Sequence, residues 1–265
     1  TPVLLEHRPT AVEVMDRFIL DHARESPALD KIRRSVLQGD TTPGGLLCVE
    51  LCDDDVDELP SRLEAIEQDL EARGITARTT RVLDPNAQAR IWQLRQSSLG
   101  LSMAMKGDAK SISFVEDSAV APERLRDYIA RFLDIVERHG SRTGVYAHAS
   151  VGCLHVRPVV NLKTDAGIRQ FEAIANDVAD LAFGLLLAVA RRIAESERFI
   201  RTGKWLAGGM DFGSRVSGKR LGIVGLGGIG SEVARRGTAF GMRIVAVDPQ
   251  PDATCSEVAA LWPMD

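Results

Sequence analysis

The chain has 265 residues, 45% of them hydrophobic, with 33 Lys and Arg against 37 Asp and Glu and a formal net charge of −4 at pH 7. Its mean hydropathy is −0.05, a balance that excludes a disordered or fibrous chain and suits one large or two ordinary domains. Lacking a summed positive field, it is expected to bind neither nucleic acid nor a membrane surface.

Cys48, Cys52, Cys153 and Cys255 are spread without a CxxC pair, and no charged-then-apolar leader is visible, so a cytoplasmic protein is expected. The first residue is Thr1, not methionine, so further residues are expected upstream. LLCVEL, from Leu46 to Leu51, follows the turn-forming TTPGG and reads as a strand, with Cys48 and Cys52 at same-face spacing and expected in the core. DDDVDELPSRLEAIEQDLEARG has apolar residues at helical spacing and stops at Gly74.

ITARTTRVL is expected to be the next strand, NAQARIWQLRQSSLGLSM a helix and SISFVEDSAV extended. PERLRDYIARFLDIVERHG predicts an amphipathic helix with Pro122 near its start and Gly140 at its end. TGVYAHASVGCLHVRPVV then returns to extended chain. Because these strands do not alternate strictly with helices, an α+β layer with a largely antiparallel sheet is expected.

TDAGIRQFEAIANDVADL opens a helix expected to run from about Asp165 to Ile200, and from Ala182 to Ala190 it carries no polar side chain. A helix apolar all round is normally covered on every side. That run is about half of the roughly 20 residues a bilayer span requires, so a core helix is expected and not an anchor. Where a complete dinucleotide domain does not cover it, an exposed apolar face is predicted.

Beyond Ile200 the pattern becomes strand, helix, strand: KRLGIVG, a helix from about Gly228 to Phe240, and RIVAVD. VGLGGIG sets Gly225, Gly227 and Gly230 in GxGxxG spacing between an apolar strand and a helix, and Asp248 ends the next strand. Gly225 permits the tight turn, Gly227 lets a pyrophosphate approach the backbone, and Gly230 lets helix and strand lie close. Free amides around Gly228 and Ile229 meet phosphate charge at the positive end of the helix dipole. Asp248 can accept from both ribose hydroxyls and would repel a 2′-phosphate, which favours NAD over NADP.

Residues 178–250, with VADLAFGLLLAVARRI, RTGKW, SGKRLGIVGLGGIG and VARRGTAFGMRIVAVDP, resemble the nucleotide-binding domain of the D-isomer-specific 2-hydroxyacid dehydrogenases, close to the hydroxypyruvate/glyoxylate reductase branch. Gly228 stands where many members carry Arg. In that family the substrate-binding Arg, the supporting Glu and the acid/base His lie further downstream, so the resemblance implies a seat for the adenosine end of the cofactor without the hydride-transfer machinery. It also implies a homodimer.

HASVGCLH separates His148 from His155 by seven positions, an odd interval that puts the rings on opposite faces of an unbroken strand and on one face only if a turn falls at Ser150 to Gly152. Two imidazoles are part of a Zn²⁺ shell of three or four ligands, and a purely structural pair is the competing reading. From about Pro2 to Leu181, IWQLRQS, GDAKSISFVEDSAVAPERL and YAHASVGCLHVRPVVNLKT resemble the C-terminal substrate domain of FAD-linked oxidases and dehydrogenases acting on glycolate, D-lactate and D-2-hydroxyglutarate. That resemblance implies a divalent metal on His148 and His155, the substrate carboxylate on Arg95, Lys110 as a weaker candidate in the same pocket, and FAD held by a separate domain. A guanidinium suits a carboxylate because it can bind it bidentately. The family's glycine-rich SGEHG-like loop, which supplies a further ligand and the proton acceptor, has no counterpart where the chain turns into AFGLLLAVARR.

The expected fold is therefore α+β over residues 1–177, a substrate domain, followed by a partial α/β Rossmann unit over residues 178–265, the two sharing one long helix. The expected function is that of an oxidoreductase-derived chain that binds NAD, its reaction class hydride transfer on the CH–OH of a small-molecule 2-hydroxyacid. Two alternatives remain: a flavoprotein fragment that needs a separate FAD domain, and a non-catalytic product of recombination.

Overall fold

The computed structural model describes residues 1–38, 41–115, 118–249 and 255–263. It forms two compact units, Thr1–Ile168 and Arg169–Asp265. In chain order the first unit holds α1 (Pro2–Glu6), β1 (Ala11–Asp16), α2 (Arg17–His22), α3 (Pro27–Leu37), β2 (Gly45–Glu50), α4 (Leu59–Ala72), α5 (Pro85–Gln96), α6 (Ser98–Met103), β3 (Lys110–Ser111), β4 (Ser118–Ala119), α7 (Leu125–Arg138), β5 (Thr143–His148) and β6 (Cys153–Val160). Helix α8 (Asp165–Ala190) begins at its end, and the second unit continues with α9 (Ile193–Arg201), β7 (Arg220–Val224), α10 (Gly228–Ala239), β8 (Arg243–Asp248) and β9 (Val258–Pro263).

The first sheet has the order β2-β1-β5-β6-β3, with β4 also on β6, and every pair is antiparallel, as the sequence predicts. Asp16, at the end of β1, caps α2 by accepting the Ile19 amide and also takes the Val145 amide of β5, so one carboxylate fixes a helix start to a strand. Met15, Ile19, Leu20, Ala23, Ile32, Leu94, Leu101 and Tyr146 form a buried cluster between sheet and helices. Alternation along the strands sends Val12, Ala147, Leu154 and Val156, all buried, to the other face.

Several expectations are corrected. ITARTTRVL is irregular and almost wholly exposed. Its β-branched residues favour a strand only where an edge accepts the backbone, and here the segment is held by side chains instead, Arg81 on Glu67 and Arg78 on the Leu37 carbonyl. Cys52 falls past the end of β2 and is exposed. SISFVEDSAV contributes only β3 and β4, while Glu116 and Asp117 lie outside the described residues.

The second unit is a parallel sheet of order β7-β8-β9, packed on α10 through Ile223, Leu226, Ala234, Ile244 and Ala246. From α8, Phe183 meets Phe240 at a ring distance of 5.0 Å, and Asp180 pairs with Arg236 at 2.5 Å. The single helix expected to Ile200 is broken, because Arg192 adopts a left-handed φ of 54° between α8 and α9. No glycine or proline marks this break. Arg192 instead reaches Glu195 and the Asp211 carbonyl, while the returning chain at Gly213 lies so close that a Cβ there would stand 2.6 Å from the Ala190 carbonyl oxygen.

The apolar half of α8 is not enclosed, and Leu185 and Val189 are exposed, as predicted for incomplete cover. By length and composition alone α8, at 26 residues, is long and apolar enough to cross a membrane.

Candidate functional site

Two places carry chemistry, one in each unit. In the first sheet, strand register brings side chains from four strands onto one face. Glu13 of β1 lies opposite Cys48 of β2 and His148 of β5, and His148 lies opposite Cys153 of β6. In the neighbouring row Met15 lies opposite Leu46 and Tyr146, and Tyr146 opposite His155. The hairpin turn between β5 and β6 therefore sets the two histidines on the same face. Their rings meet edge to face with centroids 5.2 Å apart, and His155 stacks on Tyr146 at 4.7 Å.

Arg95 descends on this face from α5 and is 7% exposed. Its Nε donates to Glu13 Oε2 at 2.8 Å, its Nη2 lies 2.8 Å from the same oxygen, and its guanidinium rests over the Tyr146 ring at 5.0 Å. The other Glu13 oxygen lies 2.8 Å from His148 Nδ1. Sequence reasoning places Arg95 on a substrate carboxylate, whereas here one edge of its guanidinium is already taken by an internal acid. Nearby, Trp92 Nε1 donates to Glu50 at 3.1 Å. The Cys48 thiol is pushed up to about 11, first by burial and then by the Glu13 charge, so it stays protonated at neutral pH.

Lys110 stands apart from this group. It pairs with Val160 at the far end of β6, and its ammonium donates to the Met105 carbonyl. The metal expected on His148 and His155 finds no third ligand here: among the described residues no group of three His, Cys, Asp or Glu side chains could hold an ion. Two imidazoles alone do not complete a zinc shell.

Sequence reasoning misses Glu13 and Tyr146. The only signal of Glu13 is an acid inside the apolar run AVEVM, whose neighbours Val12 and Met15 are buried.

In the second unit the glycine loop joins β7 to α10. Gly225 has φ 89° and its amide donates to the Val247 carbonyl at 2.8 Å, which closes the turn onto β8. A Cβ on Gly230 would stand 1.9 Å from the Gly225 carbonyl oxygen, so only glycine lets helix and loop approach this closely, whereas a Cβ on Gly227 would meet nothing within 4 Å. At Gly228 an added Cβ would make ordinary contact with Ala175 and Phe171.

The first bond within α10 runs from the Ser231 amide to the Gly227 carbonyl at 3.0 Å. The amides of Gly228, Ile229 and Gly230 therefore point out of the helix start, where the dipole favours an anion. Ser231 Oγ donates to the Leu226 carbonyl at 2.7 Å, and Asp248, at the end of β8, accepts the Leu226 amide at 2.6 Å. The loop is thus braced from both sides, and at Gly227 the backbone is bare of neighbours within 4 Å of where a Cβ would stand, among the described residues. These residues fit the adenosine diphosphate end of NAD.

Residues 2–186 match the family model for FAD linked oxidases, C-terminal domain. Residues 183–262 match that for D-isomer specific 2-hydroxyacid dehydrogenase, NAD binding domain. A D-2-hydroxyglutarate dehydrogenase from Pseudomonas putida is 30% identical over 181 residues, which cover 67% of this chain and 18% of that protein. A hydroxypyruvate reductase from Thermotoga maritima is 40% identical over 124 residues, 46% of this chain and 39% of that protein. A solved 2-hydroxyacid dehydrogenase from Ketogulonicigenium vulgare is 40% identical where it matches, covering 33% of this chain and 28% of that one, with a TM-score of 0.32. The chain spans 18% of the length of the D-2-hydroxyglutarate dehydrogenases that it matches. Residues 183–262 match a second model, and by the match over residues 2–186 the chain belongs to the family of FAD linked oxidases, C-terminal domain.

Proposed function

We propose that this chain is an oxidoreductase segment that binds NAD at residues 224–231 and Asp248, within a reaction class of hydride transfer on the CH–OH of a small 2-hydroxyacid. The observation that carries it is the glycine loop, with Gly225 turned back onto β8, Gly230 in backbone contact with Gly225 and the first amides of α10 facing outward. NAD supplies the hydride acceptor when bound. The residues of this chain do the holding: the helix-start amides take the diphosphate, and Asp248 takes the ribose and disfavours a 2′-phosphate.

Calorimetric titration tests this reading. NADH and ADP-ribose are expected to bind with similar affinity, because both present the adenosine diphosphate end. NADPH is expected to bind at least about tenfold more weakly, the effect of losing one good polar contact and adding like charge, and Asp248→Ala to lose binding. A folded chain that takes up neither NADH nor ADP-ribose contradicts the proposal.

A second reading is favoured by the Glu13, Arg95, Tyr146, His148 and His155 group. In it the first unit is the substrate domain of an FAD-dependent 2-hydroxyacid dehydrogenase whose flavin domain is supplied separately, with the acid's carboxylate at Arg95. Zinc analysis before and after His148→Ala checks the metal that the sequence resemblance implies, and equal stoichiometry in the two removes it. Cytoplasmic localisation, supported by four cysteines that stand outside any disulfide, and a homodimer, supported by the exposed apolar residues of α8 and α9, complete the proposal.

A further inference from the structure

A guanidinium keeps its charge inside a protein and only donates, so withdrawing it from water is costly wherever one of its nitrogens lacks an acceptor. Arg33, on α3, is 1% exposed. Its Nε donates to Asp30 Oδ1 at 2.9 Å and its Nη2 lies 2.7 Å from the same oxygen. Asp30 therefore takes one edge of the guanidinium, and Nη1 on the far side is buried with no hydrogen-bond partner among the described residues. An orphaned cationic donor points to an acceptor that comes from outside the chain, an ion or a water. Arg33 lines a cavity of about 220 Å³ together with Arg24, Asp30 and Arg34, at the corner where the turn after α2 meets α3. Internal bonds preset its walls: Arg24 Nη2 donates to Thr42 Oγ1 at 3.0 Å, and Arg34 Nε to the other Asp30 oxygen at 2.8 Å. Three guanidinium groups line this cavity against the Asp30 carboxylate, with Asp21 3.8 Å from Arg24 Nε, so positive charge is in excess.

We propose that Arg33, with Arg24 and Arg34, forms a phosphate-binding site in the first unit, taking either inorganic phosphate or the phosphate group of a small monoester. Arg33 Nη1 supplies the buried donor, and the two exposed arginines supply charge at the mouth. Guanidinium groups suit phosphate oxygens in geometry as well as charge. Drug-sized ligands occupy pockets of roughly 300–1,000 Å³, so the smaller cavity here fits one compact oxyanion and not a whole nucleotide. The site belongs to the first unit and is independent of the NAD loop in the second.

Proton–nitrogen correlation of the Arg33 Nε–H, which burial and its bond to Asp30 protect from exchange, tests the site on the full chain at constant ionic strength. Inorganic phosphate is expected to shift this resonance saturably, and sodium chloride to leave it in place. Arg24→Gln and Arg34→Gln change exposed positions that the fold tolerates. Each is expected to weaken the apparent phosphate affinity about tenfold, the effect of one charge-assisted hydrogen bond. Glycerol 3-phosphate that binds at least as tightly as phosphate assigns the site to a phosphorylated small molecule, and weaker binding assigns it to the free ion. Phosphate taken up at the glycine loop registers on the Gly228, Ile229 and Gly230 amides, so the two sites are read separately. An Arg33 resonance that phosphate leaves unmoved, or a shift that is the same in the wild type and in both variants, overturns the site and gives Nη1 to an ordered water.

Discussion

In the antiparallel sheet the clustered polar groups are side chains, Glu13, Arg95, His148 and His155, gathered from β1, α5, β5 and β6 by cross-strand register. In the parallel sheet the outward groups are backbone amides at one helix start, which precede the first hydrogen bond of α10, from the Ser231 amide to the Gly227 carbonyl. The first kind of site is assembled over distance, since Glu13 is 135 positions from His148 and 82 from Arg95. The second is written within one short segment and its following strand. The loop tolerates no added side chain at Gly230, where it would meet backbone, whereas a site made by pairing charges tolerates almost no removal.

Gly230→Ala is the largest expected break on the parallel-sheet side. Its Cβ would lie 1.9 Å from a backbone oxygen, so a loss of roughly 4–5 kcal/mol in unfolding free energy is expected, with NADH binding abolished. Denaturant unfolding and calorimetry check both. On the antiparallel side Arg95→Met leaves Glu13 buried without its cation, and about 3–5 kcal/mol is expected to be lost. A urea melt showing no change would mean that the pair is not formed in solution.

A smaller effect sharpens the comparison through pH. Burial raises Asp16 from its ordinary 3.8 to about 6, against the lowering effect of the Ile19 and Val145 amides. The folded state therefore holds this proton more tightly than the unfolded one, so the contribution is full below about pH 4 and lost as pH rises through about 6. Asp16→Asn keeps an acceptor for the Ile19 amide and removes the titration. Relative to wild type, its stability is expected to climb by on the order of 2–3 kcal/mol from pH 4 to pH 7, read as the difference between two pH series of unfolding curves. The smallest effect is in the second unit: Phe212 is 99% exposed, and Phe212→Ser is expected to shift stability by less than about 0.5 kcal/mol.

The difference between the two sites explains what the sequence could disclose. GxGxxG is legible because spacing alone puts Gly225 in the turn and Gly230 against the loop backbone, whereas the bond from the Leu226 amide to the buried Asp248 is not written in that spacing. HASVGCLH is legible as a pair but its face is not, because only the turn at Ala149 to Gly152 decides whether the rings meet. Glu13 escapes notice because its importance lies in strand pairing that local pattern does not encode. ITARTTRVL misleads for the same reason in reverse, having strand-forming residues but no place in the sheet order that ends at β2. The break at Arg192 is set by the chain returning at Gly213, a contact that helical periodicity does not register.

Assignment of the Gly228, Ile229 and Gly230 amide resonances and their titration with NAD tests most directly the claim that this loop is a diphosphate cradle. The account predicts saturable shifts at these three amides in the wild type and none in Gly230→Ala. Amides that stay in place while NAD binds elsewhere, or exchange protection showing them bonded within the protein before NAD is added, would contradict it.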